Sequence, residues 1–195
     1  MRHAWSRIAG ALVVTAVTLG LGLAHAAPLP PAHPVAPDFR VRSVTGETLE
    51  LSVVRARGPV LLDFWATWCR PCLAALPETE SLHRRYGSRG LTVIGVSIDG
   101  PRNYTKVRPF AARLGLTYPI VLDPEGRLQE SFGVIAVPTA ILVDSTGTVA
   151  LATQGYRPGE GARLEAAIER LLGPVPADTD SGAAVADSAA VPARP

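Results

Sequence analysis

The sequence predicts an α/β domain over residues 38–173, a β-α-β half followed by a β-β-α half. Residues 60–65 (VLLDFW) form a near-continuous apolar run, the pattern of a strand buried on both faces. Strand and helix signals alternate on both sides of that run. Late in the chain, two strand patterns joined through Asp144-Ser145-Thr146-Gly147 are followed by an amphipathic helix, which sets the β-β-α order of the second half.

Taken in order, residues 41–43 and 48–51 flank a Thr45-Gly46 turn and predict an N-terminal β-hairpin. The buried strand 60–65 leads into a helix over 69–86, with Leu73, Leu76 and Leu82 on one face and a kink at Pro77, whose missing N–H deletes a backbone hydrogen bond. A strand at 91–97 and a helix at 104–114 follow. A short strand at 120–122 ends at the Asp123-Pro124-Glu125-Gly126 turn, and a single helical turn spans 128–132. Strands 139–143 and 149–152 form the late hairpin. The helix over 161–172 closes the domain with Leu164, Ala167, Ile168, Leu171 and Leu172 inward.

Outside that domain, residues 1–26 read as a targeting segment. Arg2, His3 and Arg7 precede a 16-residue apolar stretch, and Ala24-His25-Ala26 supplies a signal-peptidase pattern. The stretch is shorter than the ~20 residues a spanning helix needs, which favours cleavage over an uncleaved membrane anchor. Either way the domain faces an extracytoplasmic, periplasmic-type compartment. Residues 27–37 are proline-rich and read as an extended linker. Residues 174–195, mostly Ala, Pro, Asp, Ser and Val, read as a disordered tail. The full chain carries 19 basic and 17 acidic residues; without Arg2 and Arg7 the two balance, so nothing predicts a nucleic-acid partner. A monomer is expected.

The chemistry sits at Trp68-Cys69-Arg70-Pro71-Cys72, which holds the only two cysteines of the 195 residues. A bond between thiols three positions apart closes too short a loop to stabilise the fold much. A structural zinc site normally needs four ligands; only His3, His25, His33 and His83 could supplement the pair, and His3 and His25 lie in the targeting segment. A C-x-x-C after a buried strand and at the mouth of a helix therefore reads as a redox pair, with no metal and no cofactor.

The segment Val60-Leu61-Leu62-Asp63-Phe64-Trp65-Ala66-Thr67-Trp68-Cys69-Arg70-Pro71-Cys72 resembles the active-site stretch of the TlpA/ResA-type thiol-disulfide oxidoreductases, and Val137-Pro138-Thr139 is similar to their second signature. The resemblance implies a thioredoxin-like fold: a mixed central sheet flanked by helices, with an N-terminal β-hairpin and an α-β unit inserted between 91 and 134. It implies a cis Pro138 opposite the dithiol. It also implies protein disulfides as substrates, electrons from a membrane carrier of the DsbD or CcdA type, and cytochrome c maturation as a setting. Two positions depart from the pattern. Many such proteins have glutamate where this chain has Ala75, and many have asparagine where it has Asp63, which instead looks like the buried acid of ordinary thioredoxins.

Residue roles follow from placement. Cys69, at a helix start, is the expected nucleophile, because free N–H groups and the helix dipole favour its thiolate. Cys72, one turn in, is the resolving thiol, and Asp63 is the carboxylate available to move its proton, with a pKa raised by desolvation. Trp68, Val137 and Thr139 are the expected substrate-facing residues, Val137 through its backbone in strand fashion. The competing reading of Asp63 is a solvated strand-end residue. Three other functions compete for the dithiol. One is a net disulfide oxidant, for which histidine in place of Pro71 is typical. Another is a peroxiredoxin-like peroxidase, whose Pro-x-x-x-Thr/Ser-x-x-Cys pattern fails at Leu62 and Ala66. The third is a metal chaperone, which lacks a matched histidine.

Overall fold

The computed structural model describes residues 34–173, so the targeting-segment and tail readings lie outside the described residues. The central sheet has five strands, in the spatial order Ile120–Leu122, Thr92–Ser97, Val60–Trp65, Thr139–Val143 and Val149–Gln154. Strand β3 (Val60–Trp65) is buried at every position and occupies the middle. It pairs in parallel with β4 (Thr92–Ser97), which pairs in parallel with β5 (Ile120–Leu122). On its other side it runs antiparallel to β6 (Thr139–Val143), which turns back into β7 (Val149–Gln154). A mixed sheet is the outcome, because the parallel pairs need helical crossovers while β6 and β7 need only a tight turn.

Alternation along β3 splits the core in two. Leu61 and Trp65 point to one face, where α2 (Arg70–Tyr86), α3 (Tyr104–Arg113) and α5 (Glu160–Leu172) supply Cys72, Leu76, Val107, Leu164 and Ile168. Val60, Leu62 and Phe64 point to the other, under the hairpin β1 (Arg40–Arg42) and β2 (Thr48–Glu50), α1 (Leu51–Arg55) and α4 (Arg127–Ser131). Gly95 pairs with Asp63 in the β3–β4 register, and the absence of a side chain there matters: a Cβ would lie 2.9 Å from the Tyr118 ring and 3.1 Å from Trp65 Nε1.

Three expectations need correction. The second hairpin strand ends at Glu50, and Leu51 starts the short helix α1. Leu73 does not share the buried face with Leu76 and Leu82; it is exposed, and so is Leu171 at the end of α5. Pro77 lies inside α2 on its exposed side, as the sequence places it. Finally, the proline-rich segment is not a free spacer throughout its described residues. Val35 bridges to Thr148, Ala36 N–H donates to Gly147 O (2.8 Å), and Val149 N–H donates to Pro34 O (2.9 Å). From there the chain crosses the second face to Ser43, which bridges to Val121 on β5, so both outer edges of the sheet receive a partner. Among the described residues no helix is long and apolar enough to cross a membrane.

Candidate active site

The site forms where β3 ends and α2 begins. Cys69 is the N-cap of α2, with extended backbone angles, and its Sγ accepts the N–H of Cys72 at 3.2 Å. A cap position needs an acceptor for the unpaired N–H groups of the first turn, and sulfur serves here in place of the usual oxygen. Cys69 and Cys72 are joined as a disulfide, with Cα atoms 5.3 Å apart. Cys69 retains 4% exposure and Cys72 none, so an incoming sulfur reaches Cys69 first. Pro71 sits within the first helical turn, where an N–H would have no helical partner.

Beneath the dithiol, Asp63 is almost fully buried on the α2 face of β3. Burial raises its pKa from 3.8 to about 6, with a hydrogen bond from Thr79 acting in the opposite direction. Its Oδ2 has no hydrogen-bond partner among the described residues. Cys72 and Thr79 are seven positions apart on α2, two helical turns, and therefore share a face. Cys72 and the partner of Asp63 thus point toward the same strand. The strand-end, solvated reading of Asp63 does not fit this burial.

The second signature lies alongside. Val137-Pro138 is cis, and Thr139 pairs with Phe64, so Pro138 flanks the point where β3 runs out toward Cys69. Pro138 is buried and its carbonyl accepts the N–H of Gly155 at 2.7 Å. Thr139, the first residue of β6, is buried too; its hydroxyl donates to Ala136 O at 2.7 Å, which turns it back against the Pro138 loop and away from the surface. Val137 is half-buried between the two cores. Around the dithiol the exposed apolar side chains include Trp68, 62% exposed, and Leu73, next to Cys72; Ile135 in the Pro138 loop is 83% exposed. Among the described residues no group of three or more His, Cys, Asp or Glu is placed to hold a metal ion.

With this geometry in view, the chain can be set against known proteins. Residues 33–152 match the AhpC/TSA family model. The ResA thiol-disulfide oxidoreductase of Geobacillus thermodenitrificans (strain NG80-2) is 37% identical over 114 residues, 58% of this chain and 64% of that relative's length. ResA of Bacillus thuringiensis subsp. konkukian (strain 97-27) is 32% identical over 125 residues, 64% of this chain and 70% of that relative. The chain belongs to the ResA/TlpA-type thiol-disulfide oxidoreductases. A solved structure agrees: a candidate thiol:disulfide interchange protein DsbE of Chlorobium tepidum superposes with a TM-score of 0.66 at 33% identity, covering 72% of this chain and 97% of that one.

One group in this ResA/TlpA-type site escaped the sequence reading. Asp99, fully buried just after β4, accepts Thr67 N–H at 2.9 Å and the Thr67 hydroxyl at 2.6 Å, and also the Ser97 hydroxyl at 2.9 Å. It clamps the loop that carries Trp68 and Cys69. The available signal was Ser97-Ile98-Asp99 at the carboxyl end of a parallel strand, the end where α/β folds place their sites.

Proposed function

We propose that this chain is an extracytoplasmic thiol-disulfide exchange enzyme that reduces protein disulfides. The observation that carries the reading is the asymmetry of the pair, Cys69 at the helix mouth and Cys72 sealed behind it above a buried carboxylate. In the reduced enzyme the Cys69 thiolate attacks a substrate disulfide, forming a mixed disulfide and releasing one substrate thiolate. Cys72 then gives its proton to Asp63 and its sulfur attacks Cys69 Sγ. The mixed bond breaks, the second substrate sulfur leaves with the electron pair, and the Cys69–Cys72 disulfide remains. A positive helix terminus near Cys69 favours both the attack and the departure.

Support for the compartment comes from the ResA likeness and from the targeting pattern of residues 1–26. In such a compartment a reductant needs its own electron supply. A membrane thiol carrier of the DsbD or CcdA type would provide it, and cytochrome c maturation is a process such a reductant would serve. Trp68 and the Val137 backbone would receive an extended substrate segment. The AhpC/TSA match raises peroxide reduction as a second reading, but Ala66 and Leu62 stand where that chemistry needs a hydroxyl and a proline.

The test uses the full chain. A Cys72→Ala variant is expected to trap protein substrates as mixed disulfides on Cys69, whereas trapping by Cys69→Ala would reverse the assignment. Equilibration of the wild type in glutathione buffers decides direction: a pair that settles mostly as dithiol is an oxidant, and the reductase reading then fails. Rapid turnover of hydrogen peroxide would favour the peroxidase.

A further inference from the structure

A narrow cleft reaches Asp63 from the side of the molecule where β7 passes into α5. Asp63, Thr79 and Pro138 form its floor, and Glu78, Tyr156 and Glu160 form its polar wall. The space holds about 20 Å³, which admits a single water molecule between the buried carboxylate and the wall. Glu78 is fixed in place. The Tyr156 hydroxyl donates to its Oε1 at 2.7 Å, and its other oxygen rests on Gly161 so closely that a Cβ there would lie 2.4 Å away. Glu78 also lines a second, outer groove together with Arg85 and Glu165, so one carboxylate borders both the inner cleft and the surface.

This arrangement answers a need created by the chemistry. Each resolution event moves the Cys72 proton onto a carboxylate that has almost no exposure, and turnover stalls unless that proton leaves. Resting on the exchange reading above, we propose that the cleft is the proton port of the dithiol and that Glu78 is the positioning residue that passes the proton between Asp63 and solvent. In the step, Cys72 S–H loses its proton to Asp63 as its electron pair forms the bond to Cys69, and the substrate sulfur departs with the pair from the broken bond. Asp63 returns to its carboxylate by handing the proton through the cleft to Glu78, which releases it outward; the departing thiolate is protonated from solvent. Glu78 touches no reacting sulfur and acts only through Asp63.

The charged and titratable groups that face the path come from several elements. Glu78 itself is on α2, with Tyr156 and Glu160 around the start of α5. Arg85 and Glu165, an ion pair between α2 and α5, border the outer side. Tyr118 faces Asp63 from the α3–β5 connection, its phenol pushed upward by burial and by the charges of Asp63 and Glu80. A raised Asp63 pKa of about 6 means that near neutrality the group both takes and gives a proton readily.

The test follows the resolution step alone. The reduced full chain is mixed with an aromatic disulfide whose released thiol is coloured; the first release reports attack by Cys69 and the second reports resolution by Cys72. Glu78→Gln is expected to leave the first release unchanged. The second should slow on the order of tenfold in dilute buffer, less than the loss of a group that meets the reacting proton directly. Rising imidazole should restore it, because a small base can collect the proton in place of Glu78. Gly161→Ala provides an independent route: alanine suits a helix better than glycine, yet its Cβ must push the Glu78 carboxylate from its seat. It should slow the second release in the same way, with the same rescue. Wild-type rates in both variants, or losses that imidazole does not relieve, would overturn the relay. A wild type that resolves the reagent but reduces no protein disulfide would instead count against the proposed substrate and leave the relay standing.

Discussion

The two faces of the central sheet are built from different materials. Beneath the N-terminal hairpin, α1 and α4, the side chains of β3 and β4 are Val60, Leu62, Phe64, Ile94 and Val96, packed among Leu49, Leu51, Val121 and Val143. On the α2 face the same strands place Leu61, Val93 and Trp65 together with Asp63 and Gly95. Asp63 Oδ2, Trp65 Nε1, Tyr118 Oη and His83 Nδ1 are all buried there without a hydrogen-bond partner among the described residues. Each such group sacrifices stability, about 1–3 kcal/mol where nothing compensates. Both faces bury an apolar core, but the unpartnered polar groups are gathered on the α2 face, below the dithiol. Stability and reactivity should be separable by mutation.

The largest effect on folding is expected from the face under the hairpin, which holds no unpartnered carboxylate. Phe64 is fully buried and packs its ring 5.9 Å from that of Phe132. Phe64→Ala should destabilise the oxidised protein by about 3–5 kcal/mol in urea unfolding. The pH profile of thiol exchange, measured where the variant is still folded, should match the wild type. A shifted profile would break the division between faces.

Asp63→Asn should act with the opposite sign. Folding raises this carboxyl from 3.8 to about 6, so between those limits the folded chain keeps a proton that the unfolded chain has lost. Stability accordingly falls as pH rises through that window and levels off above it, by roughly 3 kcal/mol in all. The amide variant should lose this slope, unfold at higher urea than the wild type at pH 8, and resolve mixed disulfides more slowly near neutrality. A variant that retains the wild-type slope would assign the titration to another group.

A smaller effect is expected at Asp99. Asp99→Ala strips acceptors from Thr67 and Ser97 and should lower stability by about 2 kcal/mol. It should also slow attack by Cys69 through a loosened loop. A full stability loss with an unaltered attack rate would sharpen the comparison, making Asp99 part of the fold alone.

How far the sequence could be read depended on whether the information was local. Strands 60–65, 120–122 and 139–143 carry their own signal in apolar content and flanking turns, and their bounds agree with the structure. The dithiol, Asp63 and Pro138 were legible because they lie within or beside those strands. Helix α1 was not: five residues with adjacent valines (Leu51-Ser52-Val53-Val54-Arg55) are too few to show a 3.6-residue period and favour a strand reading. Leu73 was misplaced because it sits one residue beyond Cys72, where the helix turns its face outward. Asp99 and the Glu78–Tyr156 contact join residues 32 and 78 positions apart, and no local pattern announces such pairs.

The pairing of Pro34, Val35 and Ala36 with residues 147–149 has one more consequence. Strand β6 leaves Thr139 beside Phe64, near the dithiol, and reaches Val143 beside Val60, so the turn at 144–148 lies at the far end of the sheet. The other boundary of the described chain is held at that same end: Arg89 donates to Gly173 O at 2.6 Å, just ahead of β4, whose Thr92 also pairs with Val60. Entry and exit therefore share one pole and the reactive sulfurs occupy the other. Within the described residues, the approach to Cys69 is therefore clear of both ends of the chain, 34 and 173.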